Sequence, residues 1–508
     1  MSAERKIKTF AELRRLVSGM QAKGKKIVQC HGIFDIIHPG IVRHVESAKK
    51  QGDCLVATVV RDKDVRKGPN YPIFGEKLRA ESIAAVECVD YVSVVEDSVS
   101  LQCVRMLKPD VFARGQDYKD RDQTVLKRLE DEEEALKIAG CKIHYTPGQV
   151  FSSTNIINQF LDVYPEQTRD FLRNFSRKYS AGEIIGQLEN LKNLRVLVIG
   201  DTIIDEYHYC EPMGKSLKEH LVVNKYLNDE SFAGGVLAVA NHLSGLCREV
   251  RLVTILGRSD SREDFILSKL RPNVKPRFFY RKDASTIVKR RFINEYLNQK
   301  LFEICYLKND ETPPKVEAQI AEYLAKQIPK FDLVMVCDFG HGLVTRKLIH
   351  LIESKAKVLA VNVQTNGANV GFNLVTKYHR VNFTCLDEPE ARLACQDRFG
   401  RIQNLARSIA GQINSDYLIV TRGRNGSIGV NSHGRFNQTP AFSSVVVDRI
   451  GAGDAFFGFT APCFARNLPL DLVSFVGNAV GAIAVQIVCN KEPVEPGKLF
   501  QFIHTLLR

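Results

Sequence analysis

Apolar and polar positions along this chain fall into two successive series. In the first, residues 9–23 carry a helical period, residues 26–31 form an apolar run that ends in Cys30-His31, and residues 42–51 return to the helical period. The run Cys54-Leu55-Val56-Ala57-Thr58-Val59-Val60 comes next, then a helical stretch over 76–85 and short apolar runs over 91–95, 110–113 and 142–145. A further helix is expected over 122–139. Continuous β-branched runs suit strands buried on both faces, and strands separated by helices give parallel βαβ units. This block ends near residue 163. Residues 170–193 are charged and helical in period, and a second series then opens with Leu194-Arg195-Val196-Leu197-Val198-Ile199-Gly200-Asp201. Its strands are expected over 252–254, 333–337, 358–363 and 417–421, with helices such as 315–327 and 401–413 between them. The expectation is an α/β protein of two domains, 1–165 and 194–508, joined by a linker and lead helix over 166–193. The second is one large doubly wound domain.

Composition narrows the class. A chain of 508 residues exceeds what one hydrophobic core sustains, and 44% hydrophobic with 25% charged residues excludes a disordered, collagenous or coiled-coil protein. The net charge of +13 suits anionic partners. The basic residues are scattered rather than striped and form no nucleic-acid-binding signature, so phosphorylated small molecules are expected and nucleic acid is not. Thirteen cysteines contain no CxxC pair and no Cys/His set at zinc spacing, which predicts reduced thiols and no metal-ligating residues. The polar opening over 1–15 is unlike a secretory leader. The longest apolar stretch, 473–489, is interrupted by Asn478 and Gln486, so it reads as a buried helix rather than a membrane span. A cytoplasmic protein without a membrane partner is expected. The acidic run over 130–134 reads as a solvated helix face.

Candidate chemistry begins at Cys30-His31-Gly32-Ile33-Phe34-Asp35-Ile36-Ile37-His38-Pro39-Gly40, where the first strand hands over to a helix. Ligands of open parallel sheets bind beyond such strand ends. Gly32 and Gly40 allow close backbone approach, the helix N-terminus offers N–H groups to an anion, and His38 can donate to a phosphate oxygen. The segment resembles the GxFDxxHxGH signature of the cytidylyltransferase-like nucleotidyltransferases. Four stretches continue the resemblance in order: Lys67-Gly68, Glu76-Lys77-Leu78-Arg79, Arg114-Gly115-Gln116-Asp117-Tyr118-Lys119 and Ser152-Ser153-Thr154-Asn155-Ile156-Ile157. The last two look most like the adenylyltransferase half of the heptose-phosphate kinase/adenylyltransferases.

That resemblance implies a Rossmann-like domain in which a sugar 1-phosphate oxygen attacks the α-phosphorus of a nucleoside triphosphate and pyrophosphate leaves. ATP is the nucleotide of the branch resembled. His38 and Lys67 would be catalytic, and with Arg79 they would stabilise the developing charge. Gly32, Phe34, Asp35, Gly40, Arg79, Ser153 and Thr154 would form the nucleotide site, Asp35 shaping the turn. One position departs from the pattern: the second signature histidine is Ile41, which has no hydrogen bond to give a phosphate. His44, one helical turn further on, lies on nearly the same face.

The second constellation is Asp448-Arg449-Ile450-Gly451-Ala452-Gly453-Asp454-Ala455-Phe456. A small-residue turn ahead of an apolar helix leaves backbone N–H groups to face an anion, and Asp454 is placed to accept a hydroxyl proton. From the motif alone, a glycine turn before a buried helix is the other reading. The segment resembles the DTxGAGD signature of the ribokinase/PfkB-type carbohydrate kinases. That family's other motifs are matched in order from residue 194: Gly200-Asp201 with Asp205, Gly234-Gly235, Thr286 with Lys289, Asp338 with Gly342, and Thr421-Arg422-Gly423 with Gly426.

By this resemblance the fold is ribokinase-like, Asp454 is the catalytic base, and Gly451, Ala452 and Gly453 form an anion hole. Thr421, Gly423 and Gly426 would hold the nucleotide, and Asp205, Gly234, Gly235, Lys289 and Asp338 the sugar, with magnesium (Mg2+) bridging the phosphates of the substrate ATP. Three departures stand out: Ala238 where the family has a sugar-binding asparagine, Asn362-Val363-Gln364 for D-P-K, and Ile450 for threonine. Sites built to hydrogen-bond a hydroxyl discriminate strongly, so these departures point to a different sugar while Asp454 remains.

The two halves resemble those of the heptose-phosphate kinase/adenylyltransferases in reversed order. Domains joined by an exposed linker tolerate permutation. The resemblance implies a bifunctional sugar-phosphate kinase and nucleotidyltransferase that makes a nucleotide-activated, heptose-like sugar, as a homodimer. Two alternatives stay open: an active kinase whose N-terminal domain only binds nucleotide, and a sensor of nucleotide and sugar phosphate without turnover.

Overall fold

The computed structural model describes residues 2–96, 101–115, 136, 140–146, 164–308, 310–443 and 445–507. The chain divides into two compact units, one of residues 1–176 with 501–508, the other of residues 177–500. The chain's last residues thus belong to the first unit, which a contiguous division at 165 and 194 does not anticipate. Their apolar side chains, Phe502, Ile503 and Leu506, are buried, but a helical apolar stripe carries no label for the surface it will cover.

The first unit holds a five-stranded sheet with the order β3-β2-β1-β4-β5, from β1 (Ile27–Gly32), β2 (Cys54–Val60), β3 (Tyr91–Val95), β4 (Val111–Gly115) and β5 (Lys142–Thr146). Every pairing is parallel. The strand order reverses between β1 and β4, and the crevice beyond such a switch point is where ligands bind. The helix after β1 spans Pro39–Lys49 and begins earlier than its period suggested. Pro39 occupies the first turn, where its missing N–H costs nothing, and the His38 side chain caps the next amide. The helix expected over 122–139 lies outside the described residues apart from buried Leu136.

The second unit is built on nine strands in the order β10-β9-β6-β13-β14-β15-β16-β17-β18. They are β6 (Arg195–Gly200), β9 (Glu249–Gly257), β10 (Val274–Arg281), β13 (Leu333–Asp338), β14 (Leu359–Val363), β15 (Val381–Asp387), β16 (Ser415–Thr421), β17 (Ser427–Asn431) and β18 (Phe436–Thr439). All pairs are parallel except the last two, which close one edge antiparallel. Leu197, Val334, Val361 and Leu418 pack on one face with the helices Pro314–Gln327, Arg346–Lys355 and Ile402–Gln412. On the other face, Phe383 stacks against Phe457 and Phe464.

A separate four-stranded sheet, not anticipated from the sequence, joins β7 (Thr202–Lys215), β8 (Val222–Gly235), β11 (Ile287–Asn294) and β12 (Gln299–Tyr306) in the order β12-β11-β7-β8. Its strands alternate charged with apolar residues on both faces, so no simple hydrophobic-in, polar-out pattern marks them. The apolar stretch at 473–489 forms the helix Leu470–Ala484 and then leaves helical geometry. Beyond it the Cys489 N–H donates to Asp448 Oδ2 at 3.1 Å. No helix among the described residues is long and apolar enough to cross a membrane.

Candidate active sites

In the first unit, the turn after β1 is laced in place by two buried charged residues. Asp35 accepts the N–H groups of Ile73 and Phe74, both at 3.0 Å. Arg79 is fully buried and donates to Phe74 O (2.8 Å), Ile33 O (2.5 Å), Val60 O (2.6 Å) and Asp62 Oδ1 (2.7 Å). Arg79, expected on the nucleotide, therefore binds the backbone that carries the site, joining the ends of β1 and β2 to the segment that bears Lys67. Phe34 has a left-handed backbone (φ 53°) with its ring buried in the core. Such a conformation costs of order 1 kcal/mol or more and persists where packing fixes it.

His38 ends this turn as the cap of the following helix, its Nδ1 accepting the Gly40 N–H at 3.1 Å. Lys67 is half-buried and precedes Gly68, whose φ of +104° and neighbour Phe502, 2.0 Å from where a Cβ would stand, both require glycine. Gly68→Ala is expected to destabilise this unit by about 1–3 kcal/mol through overpacking and backbone strain. Urea unfolding checks this against Gly19→Ala, a site with open space.

Ile41 packs against the core beside Ile37. His44 bonds Thr146 Oγ1 at 2.6 Å, and burial followed by the nearby His144 pushes its pKa down to about 4. It is neutral at physiological pH. Ser153, Thr154 and residues 116–119 lie outside the described residues.

The second unit assembles its site at the strand ends around the switch between β6 and β13. Asp454 stands in the first turn of the helix Ala452–Ala465, buried, and accepts from Gln364 Nε2 at 3.1 Å. Burial, then the Asp205 charge, pushes its pKa up to about 7, against the lowering effects of Gln364 and Lys289. Gly451 caps the helix at φ 87°, with Asn490 Oδ1 2.2 Å from where a Cβ would stand. A Cβ on Gly453 meets nothing within 4 Å. The turn is thus pinned from below and open above its first-turn amides, as an anion hole requires.

Asp205 pairs with Arg291 Nη1 at 2.5 Å and lies over Gly234, where a Cβ would meet its Oδ2 at 2.0 Å. Gly235 (φ 56°) passes close to Asp201 O. Lys289 is buried and has no ion-pair partner among the described residues. Lys289, Arg291 and Asp205 share the face of the four-stranded sheet that meets Asp454. Ala238 fills the asparagine position with a buried methyl.

Asp338, expected on the sugar, is already occupied. Its Oδ2 takes Tyr378 OH (2.8 Å) and Lys377 Nζ (2.7 Å), and its Oδ1 takes the Gly340 N–H (3.1 Å). Thr286 likewise serves the fold, donating to Ser261 O and accepting from Gly257 N.

The nucleotide loop closes through Arg422 N to Gly426 O at 2.8 Å. Gly426 is obligatory, since a Cβ would meet Thr439 O at 1.9 Å, while Gly423 faces open space. Thr421 pairs in register with Asp387. Asp387 and Glu390 form a capping box on the helix Glu388–Cys395. Burial, then the Asp387 charge, holds Glu390 above the usual carboxylate range. Asp387 and Glu390 beside the nucleotide loop form an oxygen donor set that fits magnesium, whose charge would favour the ionised form of both carboxyls.

Sequence reasoning missed Asp387, Glu390, Arg291 and His341. The signals were present: D-x-x-E directly after an apolar run, and an arginine two positions from Lys289 on a strand, hence on its face. His341 is buried, its Nδ1 has no hydrogen-bond partner among the described residues, and burial pushes its pKa down to about 4. It is a neutral hydrogen-bonding group beside Lys289.

A family model described as pfkB family carbohydrate kinase matches residues 193–490, and one described as cytidylyltransferase-like matches residues 30–159. "Bifunctional protein HldE" of Pelobacter propionicus is 34% identical over 164 residues, 32% of each chain. That of Aliarcobacter butzleri is 36% identical over 138 residues, 27% of this chain and 29% of the relative. The chain thus spans about a third of the length of the curated relatives it matches. Phosphofructokinase-2 of Escherichia coli in complex with fructose-6-phosphate is 15% identical with a TM-score of 0.50, covering 62% of this chain and all of that one. That likeness shows the fold of the second unit. With a kinase model matching more than half its length and a cytidylyltransferase-like domain ahead of it, the chain belongs to the pfkB family of carbohydrate kinases.

Proposed function

We propose that this protein is a bifunctional sugar-phosphate kinase and nucleotidyltransferase that makes a nucleotide-activated, heptose-like sugar. The observation that carries the kinase half is Asp454, buried beside an open GAG turn, held by Gln364 and faced by Lys289, which has no ion-pair partner among the described residues. Asp454 accepts the proton of a sugar hydroxyl as its oxygen attacks the γ-phosphorus of ATP. The amides at Gly451–Gly453 and Lys289 stabilise the charge on the transferred phosphoryl group, and ADP leaves. Asp387 and Glu390 would hold magnesium, which screens the phosphate charge when bound.

In the transferase half, a sugar 1-phosphate oxygen attacks the α-phosphorus of a nucleoside triphosphate, ATP by resemblance, and pyrophosphate leaves. His38 and Lys67 stabilise that charge, and Gly32, Phe34 and Gly40 bring backbone to the nucleotide. Asp35 and Arg79 hold the loops. The relatives' shared name, bifunctional protein, supports the pairing. The product of an anomeric kinase is also the substrate a nucleotidyltransferase needs.

Ile41 favours a second reading, in which the first unit binds nucleotide without turnover. Product mass spectrometry with magnesium, mixed nucleoside triphosphates and sugar phosphates separates the two. A nucleotide-sugar with ADP supports the bifunctional reading, and a sugar bisphosphate with ADP alone supports the second. The second sheet's other face leaves Phe302, Ile304 and Tyr306 exposed, a surface for the second copy of a homodimer. A monomeric mass in solution refutes that assignment. A cytoplasmic location accords with these substrates and with cysteines that form no disulfide among the described residues.

The acid limb of the kinase follows from Asp454. The base works only when ionised, so kcat/KM is expected to rise with pH through about 7 and then level. Gln364→Leu removes a hydrogen bond that favours the carboxylate, so its limb moves to higher pH. A wild-type limb near pH 4–5, that of an unperturbed carboxylate, would sink this assignment.

A further inference from the structure

Three side chains converge at the end of the nine-stranded sheet where β15 enters, opposite the strand ends that carry the kinase site. His350 and Glu353 lie one turn apart on the helix Arg346–Lys355, hence on one face. His379 stands two residues before β15. The Glu353 side chain is only 9% exposed. Its Oε1 is fixed by the N–H groups of His379 (2.6 Å) and Arg380 (3.0 Å). Its Oε2 accepts no hydrogen bond from the described residues and faces two imidazoles, 3.9 Å from His350 Nδ1 and 3.8 Å from His379 Nδ1. The rings stack 5.8 Å apart at 19°, and both are about two-thirds exposed.

Contacts of 3.8–3.9 Å are too long for hydrogen bonds, which end near 3.2 Å, so no proton is shared here. The three donor atoms all lie within 4.8 Å of one another. Metal–ligand bonds of about 2.0–2.2 Å in a tetrahedral shell place ligands roughly 3.3–3.5 Å apart. Closing the difference needs only small rotations of two exposed rings toward a carboxylate that is already anchored.

The structure assigns to His350, Glu353 and His379 a binding site for a borderline transition-metal dication, zinc being the type, with water completing the shell. Two imidazoles and one carboxylate suit zinc, nickel or copper, whereas an oxygen-only set such as Asp387 with Glu390 suits magnesium. Occupancy ties the helix Arg346–Lys355 to the segment just ahead of β15. The two residues before His379 are Lys377 and Tyr378, which hold Asp338. The bound metal therefore braces the segment that supports the switch-point carboxylate.

The test is equilibrium dialysis of the full chain, stripped with chelator, against zinc, with retained metal counted by mass spectrometry. Wild type is expected to keep one equivalent more than either His350→Ala or His379→Ala. Nickel should show the same difference and magnesium none. Exposed Cys305 and the acidic pair at the nucleotide loop contribute equally to all three proteins, so only the difference is read. Cobalt(II) loading should give visible ligand-field bands that both variants lose. Because both rings are exposed, the variants' metal-free melting temperatures should match wild type, which separates lost ligation from lost fold. Equal zinc retention by the three proteins, or cobalt spectra that do not differ, overturns the assignment.

Discussion

Asp454→Asn is expected to lower kinase kcat by about 10²–10⁴-fold, the contribution usual for a positioned general base, while pyrophosphate release by the transferase stays at the wild-type rate. The substitution keeps the shape of the side chain and an oxygen for Gln364 Nε2, so the helix start and the GAG turn should survive. What it removes is a buried carboxyl at the turn whose pKa, pushed up to about 7, suits proton acceptance near neutral pH. The difference should be largest above pH 8, where the wild-type carboxylate is ionised, and should narrow below pH 6 as wild type itself protonates. KM values should change little, because Lys289, Arg291 and Asp205 remain. Steady-state kinetics across that range measure this directly. A loss under tenfold at pH 8 would move the proton to another acceptor.

The five strands of the first unit and five of the nine in the second unit's main sheet were legible as continuous apolar runs, whereas β10, β15, β17 and β18 were not expected. CLVATVV and LRVLVIG leave no polar alternation to confuse with a helix. The four-stranded sheet was not. β7 runs Thr-Ile-Ile-Asp-Glu-Tyr-His-Tyr and β11 runs Ile-Val-Lys-Arg-Arg-Phe-Ile-Asn. In both, charged residues occupy the two faces: Asp205, Lys289 and Arg291 on the face toward Asp454, and Glu206 paired with Arg290 on the other. Buried ion pairs override the pattern there.

The same cause divides the site residues. Gly234, Gly426 and Gly451 each meet an atom where a Cβ would stand, so local packing requires glycine at all three. Charged residues were harder to place, because sequence shows a charge and not its partner. Arg79 and Asp338 are spent on the fold, each saturated by neighbours more than a dozen positions away or around a turn. Glu390 and His341 stand in the kinase unit without having been marked. A resemblance carries a residue type to a position, and the hydrogen-bond ledger decides whether that residue faces substrate or scaffold.

His38→Asn is expected to slow the transferase by about 10²–10³-fold, the loss usual when one preorganised donor to a developing oxyanion is removed. Asparagine is the informative replacement because the native ring does two things. Its Nδ1 caps the helix by accepting the Gly40 N–H, and that acceptance leaves Nε2 as the protonated nitrogen of the neutral ring. Asparagine can keep the cap, whereas alanine would lose it at a further cost of about 1 kcal/mol in helix stability. The melting temperature should therefore stay near wild type while pyrophosphate release falls. Kinase activity should not change. The dependence on a single histidine should be steep, since the position of the second signature histidine is filled by Ile41 and turned to the core. His44 is neutral and bonded to Thr146, so it has no charge to lend. Ile41→His tests the same point from the other side. If the wild type turns over, a histidine pushed against Ile37 and the core should destabilise the unit and add little rate. If the wild type releases no pyrophosphate and Ile41→His does, the first unit is a nucleotide-binding domain one side chain from catalysis.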